Sequence, residues 1–74
     1  DYQPDILKID ACLIKNIVDD KYSRDVVETI AMFAKKQNIK TVAEFVSTPE
    51  ILEVIKEIGI DYSQGFLLGK PEPL

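Results

Sequence analysis

Four polar side chains interrupt otherwise apolar segments at places where a sheet would end. Lys8 and Asp10 lie two positions apart in Ile6-Leu7-Lys8-Ile9-Asp10, which puts them on one face of a strand. Glu44 sits inside Val42-Ala43-Glu44-Phe45-Val46, and Gln64 precedes Gly65-Phe66-Leu67-Leu68. Their chemistries are complementary. A glutamate can ligate a hard divalent cation or take a proton from water. A lysine can neutralise a phosphate or orient a metal-bound hydroxide. An aspartate can support either as an outer partner, and a glutamine can donate and accept at once. These four could converge on one pocket, or they could decorate a solvated rim. Asp10 alone also fits a structural task, capping the turn that begins at Ala11.

The elements that must position them read as alternating strand and helix. Ile6 to Asp10 predicts a first strand. Leu13, Ile14 and Ile17 predict one or two helical turns, followed by a polar loop at Asp19-Asp20-Lys21. Ser23 is a suitable N-cap with Asp25 in the first turn, and Val26, Val27, Ile30, Ala31, Phe33 and Ala34 form an apolar stripe. Lys35 and Lys36 suit a helix C-terminus, and Asn38 suits a left-handed terminator. Lys40 to Val46 predicts a second strand. Thr48-Pro49-Glu50 opens another helix, with Ile51, Leu52, Ile55 and Ile58 as its buried stripe and Gly59 as its stop. A third strand is expected near Tyr62 to Leu67, with Gly69-Lys70-Pro71 ending the regular structure and an extended Pro71/Pro73 tail. Helices between apolar strands imply parallel pairing with right-handed crossovers. In such folds chemistry gathers at the C-terminal ends of the strands. Residues 1–74 form a single unit. Three parallel strands are few for a whole α/β domain, so the expected architecture is a β-α-β-α-β piece of a larger sheet or barrel.

Composition narrows the functional classes. The 74 residues carry 9 basic and 13 acidic side chains, a formal charge of −4, which disfavours a nucleic-acid backbone or anionic membrane as partner. The uncharged stretches are too short to span a bilayer, and no leader pattern is visible. The single Cys12 excludes an internal disulfide and fits a reducing, cytoplasmic setting; it reads as a small buried apolar residue. No histidine is present, which removes imidazole general bases and His-ligated zinc from this chain. The start at Asp1 without Met suggests a cut or processed piece. Glu53, Lys56 and Glu57 read as an exposed helix face, and Tyr62 as a packing residue.

Leu7-Lys8-Ile9-Asp10 with Leu13-Ile14, then Thr41-Val42-Ala43-Glu44, then Gly59-Ile60-Asp61-Tyr62-Ser63-Gln64-Gly65-Phe66 and Gly69-Lys70-Pro71 carry a resemblance. In order and separation they resemble the C-terminal part of an EAL domain, the bacterial phosphodiesterase family that hydrolyses cyclic di-GMP. The resemblance covers essentially the whole chain. It implies the last three strands of a modified TIM-type (β/α)8 barrel, with the site at the C-terminal face. Lys8 then matches the lysine beside the attacking water and phosphate. Glu44 matches the glutamate that supports the metal site, Gln64 the glutamine at the pocket floor, and Asp10 belongs to the same strand motif as Lys8. The implied chemistry is hydrolysis to linear pGpG with Mg²⁺ or Mn²⁺ in the full domain. Most metal ligands would come from upstream segments that this sequence lacks. The isolated chain is therefore expected to bind no metal and to be inactive, with Glu44 ligating only alongside those segments.

Two positions depart from the family pattern. Phe45 stands where the family has glycine, and Ser47 where it has a second glutamate. These departures motivate an alternative: a catalytically inactive EAL-like domain that receives cyclic di-GMP or a protein. An unrelated parallel α/β module of the receiver type would need an acidic cluster after its first strand, which is missing. Implied partners are cyclic di-GMP, the rest of the parent domain and a GGDEF domain. An open piece of barrel exposes strand edges and apolar faces, so self-association is expected as well. No nucleic acid and no direct membrane contact are expected, although the parent itself could be membrane-anchored.

Overall fold

The computed structural model describes residues 5–65 and 71–74. Its elements are β1 (Ile6–Ile9), α1 (Ala11–Lys15), α2 (Lys21–Lys36), β2 (Lys40–Ala43), α3 (Pro49–Ile58), β3 (Tyr62–Ser63) and β4 (Glu72–Pro73). They form a mixed α/β unit with one sheet in the order β1-β2-β3-β4. β1 and β2 pair in parallel from Ile6 opposite Lys40 to Ile9 opposite Ala43. β2 and β3 are also parallel, with Val42 opposite Tyr62 and Ala43 opposite Ser63.

The helices form where their termini are satisfied. In α3 the Thr48 hydroxyl accepts from the Ile51 amide at 3.1 Å, and Pro49 opens the first turn. Both long helices stop in the same way. The Ile39 amide reaches the Ala34 carbonyl and the Asn38 amide reaches Lys35, with Asn38 at φ +60°. The Ile60 amide reaches Ile55 and the Gly59 amide reaches Lys56, with Gly59 at φ +96°. This paired bonding is the Schellman terminator, and it returns the chain to the sheet at once. Ile14, Ile17, Val27, Ala31, Ile51, Ile55 and Ile60 then pack on Ile9 and Ala43, so the helices cover one face of the sheet.

Five sequence expectations are corrected. The N-cap of α2 is Asp20, not Ser23: the Asp20 carboxylate accepts from the Tyr22 amide at 3.1 Å. The Ser23 hydroxyl is buried and donates back to Asp20 at 3.0 Å, while Asp25 pairs with Lys21. Phe33 belongs to no buried stripe and is 54% exposed, because Val27, Ala31 and Ala34 already fill the inward side. Cys12 is exposed, because the inward side of its short helix is taken by Ile14. The second strand ends at Ala43, since Phe45 adopts φ +63°, which no strand accommodates. The C-terminal tail is not simply extended. Glu72 and Pro73 form β4, antiparallel to β3, and the Leu74 amide donates to the Asp61 carbonyl at 2.9 Å. Pro73 is tolerated because β4 is an edge strand. The expected third strand is present only at Tyr62–Ser63; Gln64 and Gly65 continue outside the strand, and Phe66 and Leu67, like Gly69 and Lys70, lie outside the described residues.

Candidate functional site at the strand exits

The parallel ladders continue one rung past the strands. The Glu44 amide donates to the Ile9 carbonyl at 3.2 Å, and the Gln64 amide donates to the Ala43 carbonyl at 2.9 Å. Ile9, Ala43 and Ser63 are register partners. The next residues, Asp10, Glu44 and Gln64, therefore stand side by side on three adjacent strand exits. At about 4.8 Å between strands, the row is about 10 Å wide. Lys8 lies opposite Val42, one side-chain repeat below that row on the same face. Glu44 and Gln64 are half-buried, whereas Lys8 and Asp10 are exposed.

Asp10 has a demonstrable structural task. Its carboxylate accepts from the Cys12 amide at 3.2 Å, and its carbonyl accepts from the amides of Leu13 and Ile14. It caps α1, as its position before Ala11 suggested. Among the described residues, no three histidine, cysteine, aspartate or glutamate side chains converge as a metal cage. The donors present here, one glutamate beside a capping aspartate, do not by themselves fit a divalent ion.

The loop after β2 brings a further residue to this end of the sheet. Phe45 is a non-glycine residue at φ +63° and is 54% exposed. The residues on either side are pinned by main-chain bonds: Glu44 to Ile9, and Val46 to Gln64 at 2.9 Å. Phe45 thus holds a strained conformation between two fixed neighbours. It lines an open cleft of about 430 Å³ with Ala11, Cys12, Lys15 and Ser47. The signal for this was present in the sequence. A glycine in the family pattern at one loop position marks a backbone that needs positive φ.

Below the exits, Asp61 and Thr41 clamp β2 to the start of β3. The Asp61 carboxylate accepts from the Thr41 amide at 2.9 Å and from its hydroxyl at 3.2 Å. That hydroxyl in turn accepts from the Asp61 amide at 3.1 Å. The ion pairs lie elsewhere, on the outer helix surface. A hydrogen bond to Asp25 and its charge raise the Lys21 pKa; hydrogen bonds to Glu28 and Glu57 raise that of Arg24. Both cations are solvent-screened and contribute little to stability. No described helix is long and apolar enough to cross a membrane.

Comparison with known proteins identifies the family. The EAL domain family model matches residues 1–71. Cyclic di-GMP phosphodiesterase PdeF of Escherichia coli is 44% identical over 95% of the chain, which covers 9% of that protein. Cyclic di-GMP phosphodiesterase PdeA of Borreliella burgdorferi is 47% identical over 95% of the chain, covering 10% of it. The chain thus spans about a tenth of the length of these relatives. Among solved structures, PaMucR phosphodiesterase in complex with c-di-GMP superposes with a TM-score of 0.79 at 36% identity, over 93% of this chain and 28% of that one. The manganese/cyclic di-GMP complex of Klebsiella pneumoniae BlrP1 gives 0.82 at 33% identity, over 95% and 18%. With its three strand-exit motifs in register and its family match nearly end to end, the chain belongs to the EAL domain family.

Proposed function

We propose that this chain is the C-terminal part of a TIM-type EAL barrel, supplying its last three parallel strands to a cyclic di-GMP phosphodiesterase site. The observation that carries this is the row Asp10, Glu44 and Gln64 with Lys8 beneath it, at the C-terminal ends of parallel strands. Relatives that bind or hydrolyse cyclic di-GMP support the substrate, and the acidic charge favours a small ligand over nucleic acid.

In this reading the Lys8 ammonium neutralises a phosphoryl oxygen as negative charge builds on it. Glu44 takes the proton of the attacking water or supplies one ligand to a cation. Gln64 holds its neighbours by donating and accepting. Asp10 fixes the turn that follows Lys8. Water attacks phosphorus, the P–O3′ bond breaks, and the leaving oxygen takes a proton, giving linear pGpG. A divalent Mg²⁺ or Mn²⁺ in the complete domain would supply charge and water activation, and its other ligands come from outside these residues. The 74-residue chain alone is therefore inactive. The exposed β1 end of its second sheet face, at Ile6 and Lys8, seats the rest of the barrel, and in isolation that end drives self-association. A cytoplasmic domain joined to a GGDEF domain fits the same reading.

Turnover of cyclic di-GMP with Mn²⁺ by the complete domain tests it. Formation of pGpG is expected, reduced about 10²- to 10⁴-fold in Glu44→Gln. Phe45 and Ser47 favour a second reading, a receptor without hydrolysis. Binding of cyclic di-GMP with no pGpG formed would select that one.

A further inference from the structure

We infer that Asp61 is a positioning residue: through its clamp on Thr41 it fixes the register of β3 against β2, and so sets Gln64 beside Glu44. This deepens the proposed site and rests on Glu44 and Gln64 acting there. Asp61 and Thr41 lie at the entry ends of their segments, away from the exits where the site stands. Among the described residues the β2–β3 ladder holds two pairs, Val42 opposite Tyr62 and Ala43 opposite Ser63. Thr41 and Asp61 are the positions just before it, and Glu44 and Gln64 the positions just after. From residue 61 to residue 64 an extended chain rises about 10 Å.

A ladder of two pairs specifies little by itself. Its main-chain bonds can form one residue out of step, and such a slip sends every side chain to the other face. Burial does not select the register, because Tyr62 and Ser63 are both half-buried. The clamp does select it. The Asp61 carboxylate accepts from the Thr41 amide at 2.9 Å and from its hydroxyl at 3.2 Å, and the Asp61 amide donates back to that hydroxyl at 3.1 Å. Thr41 is 2% exposed, so water does not replace these bonds when they are lost. A one-residue slip would set Ile60 or Tyr62 opposite Thr41, and neither carries a carboxylate. It would also set Ser63 or Gly65 beside Glu44 in place of Gln64. In the observed register the Gln64 amide donates to the Ala43 carbonyl at 2.9 Å, and the Gln64 carbonyl accepts from the Val46 amide at 2.9 Å. The clamp at one end of the ladder thus determines which side chain stands at the other.

Two readouts on the complete domain test the assignment. Hydrogen exchange is followed at the Gln64 and Val46 amides, with the Asn38 and Ile39 amides at the end of α2 as reference. Asp61→Ala is expected to speed exchange at the first pair about tenfold or more and to leave the second pair unchanged, with Asp61→Asn restoring most of the protection. A merely structural loss would speed all four together. Turnover of cyclic di-GMP with Mn²⁺ is then compared in wild type, Asp61→Ala, Gln64→Ala and the double variant. Misplacement predicts a kcat about 10- to 100-fold lower in Asp61→Ala with KM changed less, and under about threefold further loss where Gln64 is already alanine. Thr41→Val removes only the hydroxyl and gives the same pattern at smaller size, should Asp61→Ala fail to fold. Unchanged exchange at Gln64 and Val46 overturns the inference, as does an equal kcat loss in both Gln64 backgrounds. Lost protection without pGpG from wild type leaves the register assignment standing and removes the phosphodiesterase reading. Turnover by wild type with unchanged protection does the reverse.

Discussion

Along β1, Leu7 and Ile9 turn toward the helices, while Ile6 and Lys8 turn the other way. The first pair joins a sealed core, in which Ile9 is 1% exposed. The second pair meets solvent, with Ile6 60% exposed. One four-residue strand therefore has a finished face and an unfinished one. An isoleucine left open beside a lysine is not a soluble protein's usual outer surface, where strands alternate apolar-in and polar-out. The contrast is confined to the β1 end of that second face, because Val42, the register partner of Lys8, is 2% exposed. The candidate site stands on the second, where Glu44 and Gln64 are only half-buried.

The largest expected effect falls on the finished face. Ile55 is fully buried between α3 and the sheet, so Ile55→Ala should cost about 2–5 kcal/mol in urea unfolding. A loss below about 1 kcal/mol would mean that the sealed core is looser than its burial indicates. A smaller loss is expected at the clamp. Asp61→Ala removes the acceptor of the buried Thr41 amide and of the Thr41 hydroxyl proton, leaving only the residue-61 amide on that hydroxyl, and should cost about 1–3 kcal/mol. If Asp61→Asn recovers none of that loss, the clamp is not a hydrogen-bonding device. The smallest effect belongs to the open face. Ile6→Ala should change unfolding of the 74-residue chain by less than about 0.5 kcal/mol while reducing its light scattering. In the complete domain the proposed barrel would cover this residue, and the same substitution should there cost about 2 kcal/mol or more. Equal effects in the two settings would erase the distinction between the faces.

Legibility in the sequence followed the locality of the interactions. α3 was readable at both ends, because Thr48, Pro49 and Gly59 act on atoms within a few residues of themselves. The start of α2 was misplaced by one turn, because Asp20 and Ser23 are both competent caps. Only the inward burial of Ser23 decides between them. Phe33 and Cys12 were assigned to the interior because apolarity does not say which side of a helix is already filled. β4 was missed, since two residues with a proline carry no strand pattern, and their pairing depends on the free edge of β3. The four candidate residues are legible as strand-end polar groups, and the register sets Asp10, Glu44 and Gln64 side by side with Lys8 below them. The left-handed backbone of Phe45 was legible only as a departure from a family glycine.

The rungs that align Asp10, Glu44 and Gln64 are main-chain bonds, and this has an evolutionary consequence. A backbone amide donates whatever side chain its residue carries, so Glu44 and Gln64 can change identity without breaking their rungs, whereas Asp10 also caps α1 through its carboxylate. Such a scaffold can lose its chemistry by single substitutions and regain it by single reversions, with the fold intact throughout. On the proposed function, substitutions at Glu44 or Gln64 would separate hydrolysis from nucleotide binding while the strands stay in place.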